Sequence, residues 1–177
     1  MQDFLDPKKA LKEIKVHEGH KVGDFGCGTG GFTKVLGPIV GTTGRVFAVD
    51  VQKSICDRLE KEVKEGVYEN TTVIWGDIEK KNGTKINDGF LDFVFFANTL
   101  FLVEDKFGAI KEATRTLKKG GRIVVIDWTD SWGGIGPHKD HLFTKTDAKD
   151  LFMKFGMNVE KEFDAGAHHY GIILKSQ

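Results

Sequence analysis

The chain has 177 residues, is 40% hydrophobic and 29% charged, and balances 26 Lys plus Arg against 26 Asp plus Glu. This fits one soluble globular domain over 1–177, with enough chain to close a proper core. A formal charge of zero gives no electrostatic reason to expect a nucleic-acid partner, because phosphate binding wants a basic surface.

The N-terminus, Met1-Gln2-Asp3-Phe4-Leu5-Asp6, lacks the basic start and apolar core of a signal peptide. The most apolar stretch, 90–103, is interrupted by Asp92, Asn98 and Thr99. It is too short to span a bilayer, so no membrane insertion is expected. Cys27 and Cys56 are the two cysteines, which points to a reducing, cytoplasmic setting rather than a disulfide scaffold.

In chain order, Asp6 caps a helix with Pro7 at its first position, and Ala10, Leu11, Ile14 and Val16 make it amphipathic. Residues 20–25 read as a first strand, 26–31 as a glycine loop and 32–40 as a helix that Pro38 limits near its end. Gly44 opens a strand over 45–50. A helix over 54–65 follows, with Gly66 as its stop. Residues 71–75 form a third strand and 90–96 a fourth, whose unbroken apolar run is expected when both faces are covered. A helix over 105–117 closes on Lys118-Lys119-Gly120-Gly121, and 122–127 is the fifth strand.

Residues 128–143 read as a glycine-rich loop with Pro137. Thr146 caps a helix over 147–155 ended by Gly156, and runs over 158–163 and 169–174 suggest a terminal hairpin. The alternation predicts a parallel sheet with helices on both faces. It divides into an N-terminal helix in 1–19, a core over 20–127, and a loop, helix and hairpin over 128–177.

The segment Asp24-Phe25-Gly26-Cys27-Gly28-Thr29-Gly30-Gly31 joins a strand to a helix, where open α/β sheets bind ligands. Gly26, Gly28 and Gly31 fit a nicotinamide-type fingerprint, whereas Gly26, Gly28 and Gly30 fit a G-x-G-x-G loop. Asp50, at the end of the second strand, suits a ribose in either case. Asp24 and Asp77 separate the two. A carboxylate beside a pyrophosphate is repulsive, while S-adenosylmethionine (SAM) carries a sulfonium and an ammonium. Plain turn or cap roles for Asp24 and Asp77 are the alternative.

Val22-Gly23-Asp24-Phe25-Gly26-Cys27-Gly28-Thr29-Gly30 resembles motif I of the class I SAM-dependent methyltransferases. Leu91-Asp92-Phe93-Val94-Phe95-Phe96-Ala97-Asn98 and Leu117-Lys118-Lys119-Gly120-Gly121-Arg122-Ile123 are similar to that family's fourth strand and the turn before its fifth. The tail, with Gly136-Pro137, Phe155-Gly156-Met157 and His168-His169-Tyr170-Gly171, resembles small relatives of the ubiquinone/menaquinone biosynthesis methyltransferases. The resemblance implies a Rossmann-like, doubly wound seven-stranded sheet of order 3-2-1-4-5-7-6 with the last strand antiparallel. It implies SAM as cofactor, with S-adenosylhomocysteine as product, and a small-molecule acceptor. It places the glycine loop under the methionine part, Asp50 with Val51 at the ribose, Gly76, Asp77 and Ile78 at the adenine, and Ala97 and Asn98 along the site. Gly23 departs from the usual aliphatic residue, so a slightly looser first strand is expected.

Candidates on the acceptor side are His169, Tyr170 and Asp127 as bases or catalytic contacts, and Trp128, Trp132 and His138 as pocket walls, beside His141 and His168. Ala97-Asn98-Thr99-Leu100 stands where base-amine methylating enzymes carry Asp/Asn-Pro-Pro-Tyr. Neither cysteine is placed to act as a covalent nucleophile after strands four to six. No His, Cys and acid spacing suggests a metal; Asp127, Asp130 and Asp140 are scattered. The resemblance implies C- or O-methylation of a quinone-like or otherwise apolar, aromatic acceptor, and a monomer or homodimer is expected. The alternatives are a non-catalytic SAM-binding partner subunit and an NAD-dependent oxidoreductase.

Overall fold

A computed structural model describes residues 5–65, 69–132 and 134–177. Met1 to Phe4, and Gly66 as a helix stop, lie outside the described residues. Seven strands form one sheet: β1 (Lys21–Phe25), β2 (Arg45–Asp50), β3 (Thr71–Trp75), β4 (Leu91–Ala97), β5 (Leu117–Trp128), β6 (Met157–Gly166) and β7 (His169–Ser176). Their order is β3-β2-β1-β4-β5-β7-β6. Neighbours from β3 to β5 run parallel, and β7 is antiparallel to both β5 and β6. The fold is the expected α/β arrangement, and β6 with β7 is the expected hairpin.

The helices are α1 (Pro7–Lys12), α2 (Gly31–Val40), α3 (Lys53–Lys64), α4 (Lys106–Thr116) and α5 (Lys145–Met153), with a 3-10 turn at Lys139–His141. They divide the core in two. Val22, Phe93 and Phe95 pack with Leu11 of α1 and Leu36 and Val40 of α2. Phe25, Val94 and Phe96 pack on the other side with Ile110 of α4 and Phe152 of α5. This sandwich explains why β4 is apolar without alternation. Each fully buried Phe contributes roughly 2–3 kcal/mol, so a change such as Phe95→Ala would cost about 3–5 kcal/mol.

Helix α2 ends at Val40 as expected, two residues past Pro38, while three other local expectations change. The Asn70 side chain donates to the carbonyls of Gly37 and Gly41, both at 2.7 Å, and so meets part of the demand for donors at this helix end. Strand β5 starts at Leu117 and ends at Trp128, because Lys118 to Gly121 form an irregular stretch between the Leu91–Leu117 and Phe93–Arg122 pairs. The cap of α5 is Thr144, not Thr146. Thr144 Oγ1 accepts from Asp147 N at 3.1 Å and the Asp147 carboxylate accepts from Thr144 N at 3.3 Å, a reciprocal capping box. Gly23 does not loosen β1. A Cβ there would lie 2.7 Å from the Phe25 ring and 2.8 Å from Leu91, so neighbouring side chains already fill the space. All five β1 residues pair with β2.

Candidate active site

The carboxyl ends of β1, β2 and β4 converge on the glycine loop. Gly26 N and Cys27 N both donate to Val49 O, at 2.8 and 3.0 Å. Gly26, Gly28 and Gly30 have φ of 76°, 51° and 79°, a region that favours glycine. A Cβ on Gly26 would lie 2.4 Å from Thr99, whereas one on Gly28 would meet nothing within 4 Å. The first glycine lets Thr99 clamp the loop. The second leaves bare backbone facing open space, a cradle that a side chain would fill. Thr99 Oγ1 lies within donating distance of the carbonyls of Phe25 (3.2 Å) and Ala97 (3.1 Å), tying β1 to β4 below the loop.

Two cavities meet here. The first, of about 430 Å³, is lined by Gly28, Asp50, Val51, Gly76, Asp77 and Ile78, among others. Asp50 is buried, and its two carboxylate oxygens accept from Gly28 N and Gln52 N, each at 2.9 Å. Those bonds fix the carboxylate yet leave lone pairs for a diol. Asp77 Oδ1 accepts from Glu79 N at 2.8 Å, so the turn role and a wall role coexist in one residue. Besides Asp50 and Asp77, Glu79 and Glu104 also line this cavity, against Lys80. This acidic lining disfavours a pyrophosphate and suits a cation.

The second cavity, of about 380 Å³, is lined by Asp24, Cys27, Thr29, Ala97, Trp128 and His169, together with Leu5, Phe32 and Ile135. Gly26 and Asn98 line both cavities. Asn98 has φ 54°, and its Oδ1 is buried without a hydrogen-bond partner among the described residues. An acceptor oxygen so placed suits a bound donor. The open space at Gly28, the fixed Asp50 carboxylate and Asn98 Oδ1 together fit a nucleoside-bearing cation.

Asp24 is 2% exposed. Burial pushes its carboxyl up to about 6, against a hydrogen bond from Thr33, whose Oγ1 donates at 2.6 Å. Burial also pushes the Cys27 thiol up, which keeps it protonated and unreactive. Phe25 turns its ring into the core, edge-on to Phe96 at 5.8 Å. Gly30 precedes α2 as its N-cap.

At the second cavity, Trp128 and His169 are paired across β5 and β7, with rings 4.3 Å apart. A Cβ on Gly136 would lie 2.7 Å from the Trp128 ring, so the following loop lies directly on that indole. Burial first, then His168, lowers His169 to about 4; the imidazole is neutral at pH 7. Tyr170 donates to Phe143 O at 2.8 Å and lines a separate cavity with Thr144 and Glu162, which His169 also borders. Asp127 is 1% exposed, and burial raises it to about 7. Its oxygens accept from Trp128 N at 2.9 Å and Phe101 N at 3.2 Å. Trp132 is half-exposed and stacks on His168 at 4.9 Å. His138 is exposed, and its Nδ1 lies 3.2 Å from the Asp140 carboxylate.

Sequence reasoning missed Thr33, Thr99, Gln52 and Glu79, and the rim residues Leu102 and Ile135. The two threonines gave no signal, since neither their burial nor their partners are visible in the chain. The rim residues gave none, because their role comes from chain segments brought together by folding.

A methyltransferase-domain family model matches residues 23–125. The chain is similar to demethylmenaquinone methyltransferase of Staphylococcus aureus, 33% identical over 120 residues that make up 68% of this chain and 48% of that protein. It thus spans about half the length of that relative. A SAM-dependent methyltransferase from Aquifex aeolicus superposes with a TM-score of 0.89 at 25% identity, covering 98% of this chain and 90% of that one. The [4+2]-cyclase SpnF shares the fold alone, with a TM-score of 0.73 at 16% identity over 90% of this chain and 58% of that one. Motif order, strand order and the matched span agree: the chain belongs to the class I SAM-dependent methyltransferase family.

Proposed function

We propose that this protein transfers a methyl group from SAM to a small, neutral, apolar acceptor at carbon or oxygen. The observation that carries this reading is the meeting of two unlike cavities at Gly26 and Asn98. The acidic one suits the nucleoside and the charge of SAM. The other suits the amino-acid end of SAM beside Asp24, Cys27 and Thr29, and a flat apolar molecule where Phe32, Trp128 and Ile135 wall it. Bound SAM supplies an electrophilic methyl group on a cationic sulfur.

The protein's part is to align and to exclude water. Asp50 and Val51 hold the ribose; Gly76, Asp77 and Ile78 form the adenine wall. Asp24, Cys27, Gly28, Thr29 and Asn98 surround the amino-acid end. Trp128 and His169 wall the acceptor. A neutral imidazole there does not repel a sulfonium, and it can take a proton from an acidic hydroxyl or carbon acid. Asp127 and Tyr170 act at one remove, through the segments that begin at Phe101 and Phe143. Trp132 and His138 belong to the outer rim of the acceptor side. The name of the Staphylococcus aureus relative supports a quinone-like aromatic acceptor.

The test is release of S-adenosylhomocysteine from SAM in the presence of neutral phenols, quinols and carbon acids. Turnover with at least one aromatic acceptor, and none with anionic analogues, is the expected result. SAM binding without turnover on any of them would favour a non-catalytic subunit.

A further inference from the structure

One wall of the acidic cavity is held from outside the site. Gly76, Asp77, Ile78, Glu79 and Lys80 line the cavity and begin the connection from β3 to β4. That connection folds back on itself. A Cβ on Gly83 would lie 1.9 Å from Asp77 O, and one on Gly76 would lie 2.3 Å from Gly83 O. The returning limb therefore rests backbone on backbone against the cavity wall. Asn82 and Lys85 sit on that limb with φ of 61° and 57°. Asn tolerates this conformation, but it is uncommon for Lys and marks a limb whose path its surroundings fix.

Lys85 Nζ donates to Trp75 O at 2.8 Å and Gly83 N to Lys80 O at 2.9 Å, and from α4 one buried carboxylate holds the limb. Glu112 of α4 is 2% exposed. Its Oε2 accepts from Asn82 N at 2.9 Å; its Oε1 accepts from Thr84 N at 3.2 Å and Thr84 Oγ1 at 2.6 Å. The two amides flank Gly83, the residue that touches Asp77. Arg115 grips the same carboxylate through Nε at 2.8 Å and Nη2 at 2.7 Å. Arg115 Nη2 also donates to Ile86 O at 2.8 Å, and Nη1 pairs with Asp88. Every oxygen of the buried acid is thus satisfied, as a buried charge requires.

We propose that Glu112 is a positioning residue for the cofactor: by holding the amides on either side of Gly83, it sets where Asp77 and Ile78 stand against the adenine. This rests on the cofactor reading above. A staple that served stability alone would leave affinity unchanged in a folded variant. A positioning staple ties affinity for the adenosine end to Glu112.

The test compares wild type, Glu112→Gln and Thr84→Val by titration with S-adenosylhomocysteine and with adenosine, alongside amide hydrogen exchange. Glu112→Gln should weaken both ligands by the same factor, about tenfold, the size expected when one charged hydrogen-bond acceptor is lost. Exchange should quicken at residues 82 and 84 and stay unchanged in α2. Should Glu112→Gln fail to fold, Thr84→Val carries the test with a loss of about threefold, since it removes one hydroxyl donor. A folded variant with faster exchange at 82 and 84 but unchanged affinity for both ligands overturns the proposal and leaves the cofactor reading intact. A wild type that binds neither ligand overturns the cofactor reading, and this inference with it.

Discussion

The two cavities are built by different means. Around Asp50 and Gly28, the first is made of backbone: positive-φ glycines, amides donated to a carboxylate, and strand ends held in register. The second shares the glycine loop and the end of β4 as its floor, and around Trp128 and His169 it is walled by side chains from the first residues described, the end of β5, the following loop and the start of β7. A backbone site tolerates little change at its glycines and acids. A side-chain site can be relined while the sheet beneath it stays the same. The difference explains how one fold can keep its cofactor and vary its acceptor.

That comparison can be broken most sharply at Gly28. A valine there must adopt φ near 51° and fill the open space above the loop. SAM affinity is expected to fall by more than about a hundredfold, with circular dichroism unchanged. Calorimetry showing tight binding would mean that the backbone cradle is not used. Asp50→Ala comes next, at about ten- to a hundredfold weaker binding, since charged hydrogen bonds contribute about 1.5–3 kcal/mol. An unaltered dissociation constant would remove Asp50 from the ribose.

Asp24→Asn sharpens the comparison because it should move affinity and stability in opposite directions. The carboxyl is raised by burial from its ordinary 3.8 to about 6. The neutral form therefore suits the fold. Its stabilising effect is full below 3.8 and is lost as pH rises through about 6. At pH 7 the native protein holds a buried charge, so Asp24→Asn should raise stability by about 3 kcal/mol and weaken SAM about tenfold. Thermal melts should show the gain at pH 7 and its disappearance near pH 4. A melt that is equally lowered at both pH values would contradict this account of Asp24.

His169→Ala should have the smallest effect on the cofactor. SAM affinity should stay within about twofold, while turnover of an identified acceptor drops about tenfold or more. Equal turnover would take His169 out of the acceptor side.

The sequence was readable to the same unequal depth. Asp24, Gly26, Gly28, Asp50 and Asp77 lie at strand ends, where spacing alone puts them on one edge of a parallel sheet. The strand order followed from the family resemblance, and the terminal hairpin from two adjacent strand-like runs. Thr99 and Thr33 were not legible, because a threonine that clamps a loop looks like any other buried threonine. Leu5 and Ile135 lie 130 positions apart and share a cavity only after folding. Thr146 reads as the cap of α5 because, like Thr144, it precedes an acid that suits a first turn. Only Thr144 has Asp147 three residues on, at the position that completes a capping box.

The most direct test is calorimetric titration of the purified protein with SAM, S-adenosylhomocysteine and NADH. Micromolar binding of both sulfur compounds with no heat from NADH is the predicted result. Binding of NADH without binding of the sulfur compounds would contradict the central claim, for it would place a pyrophosphate among Asp24, Asp50 and Asp77.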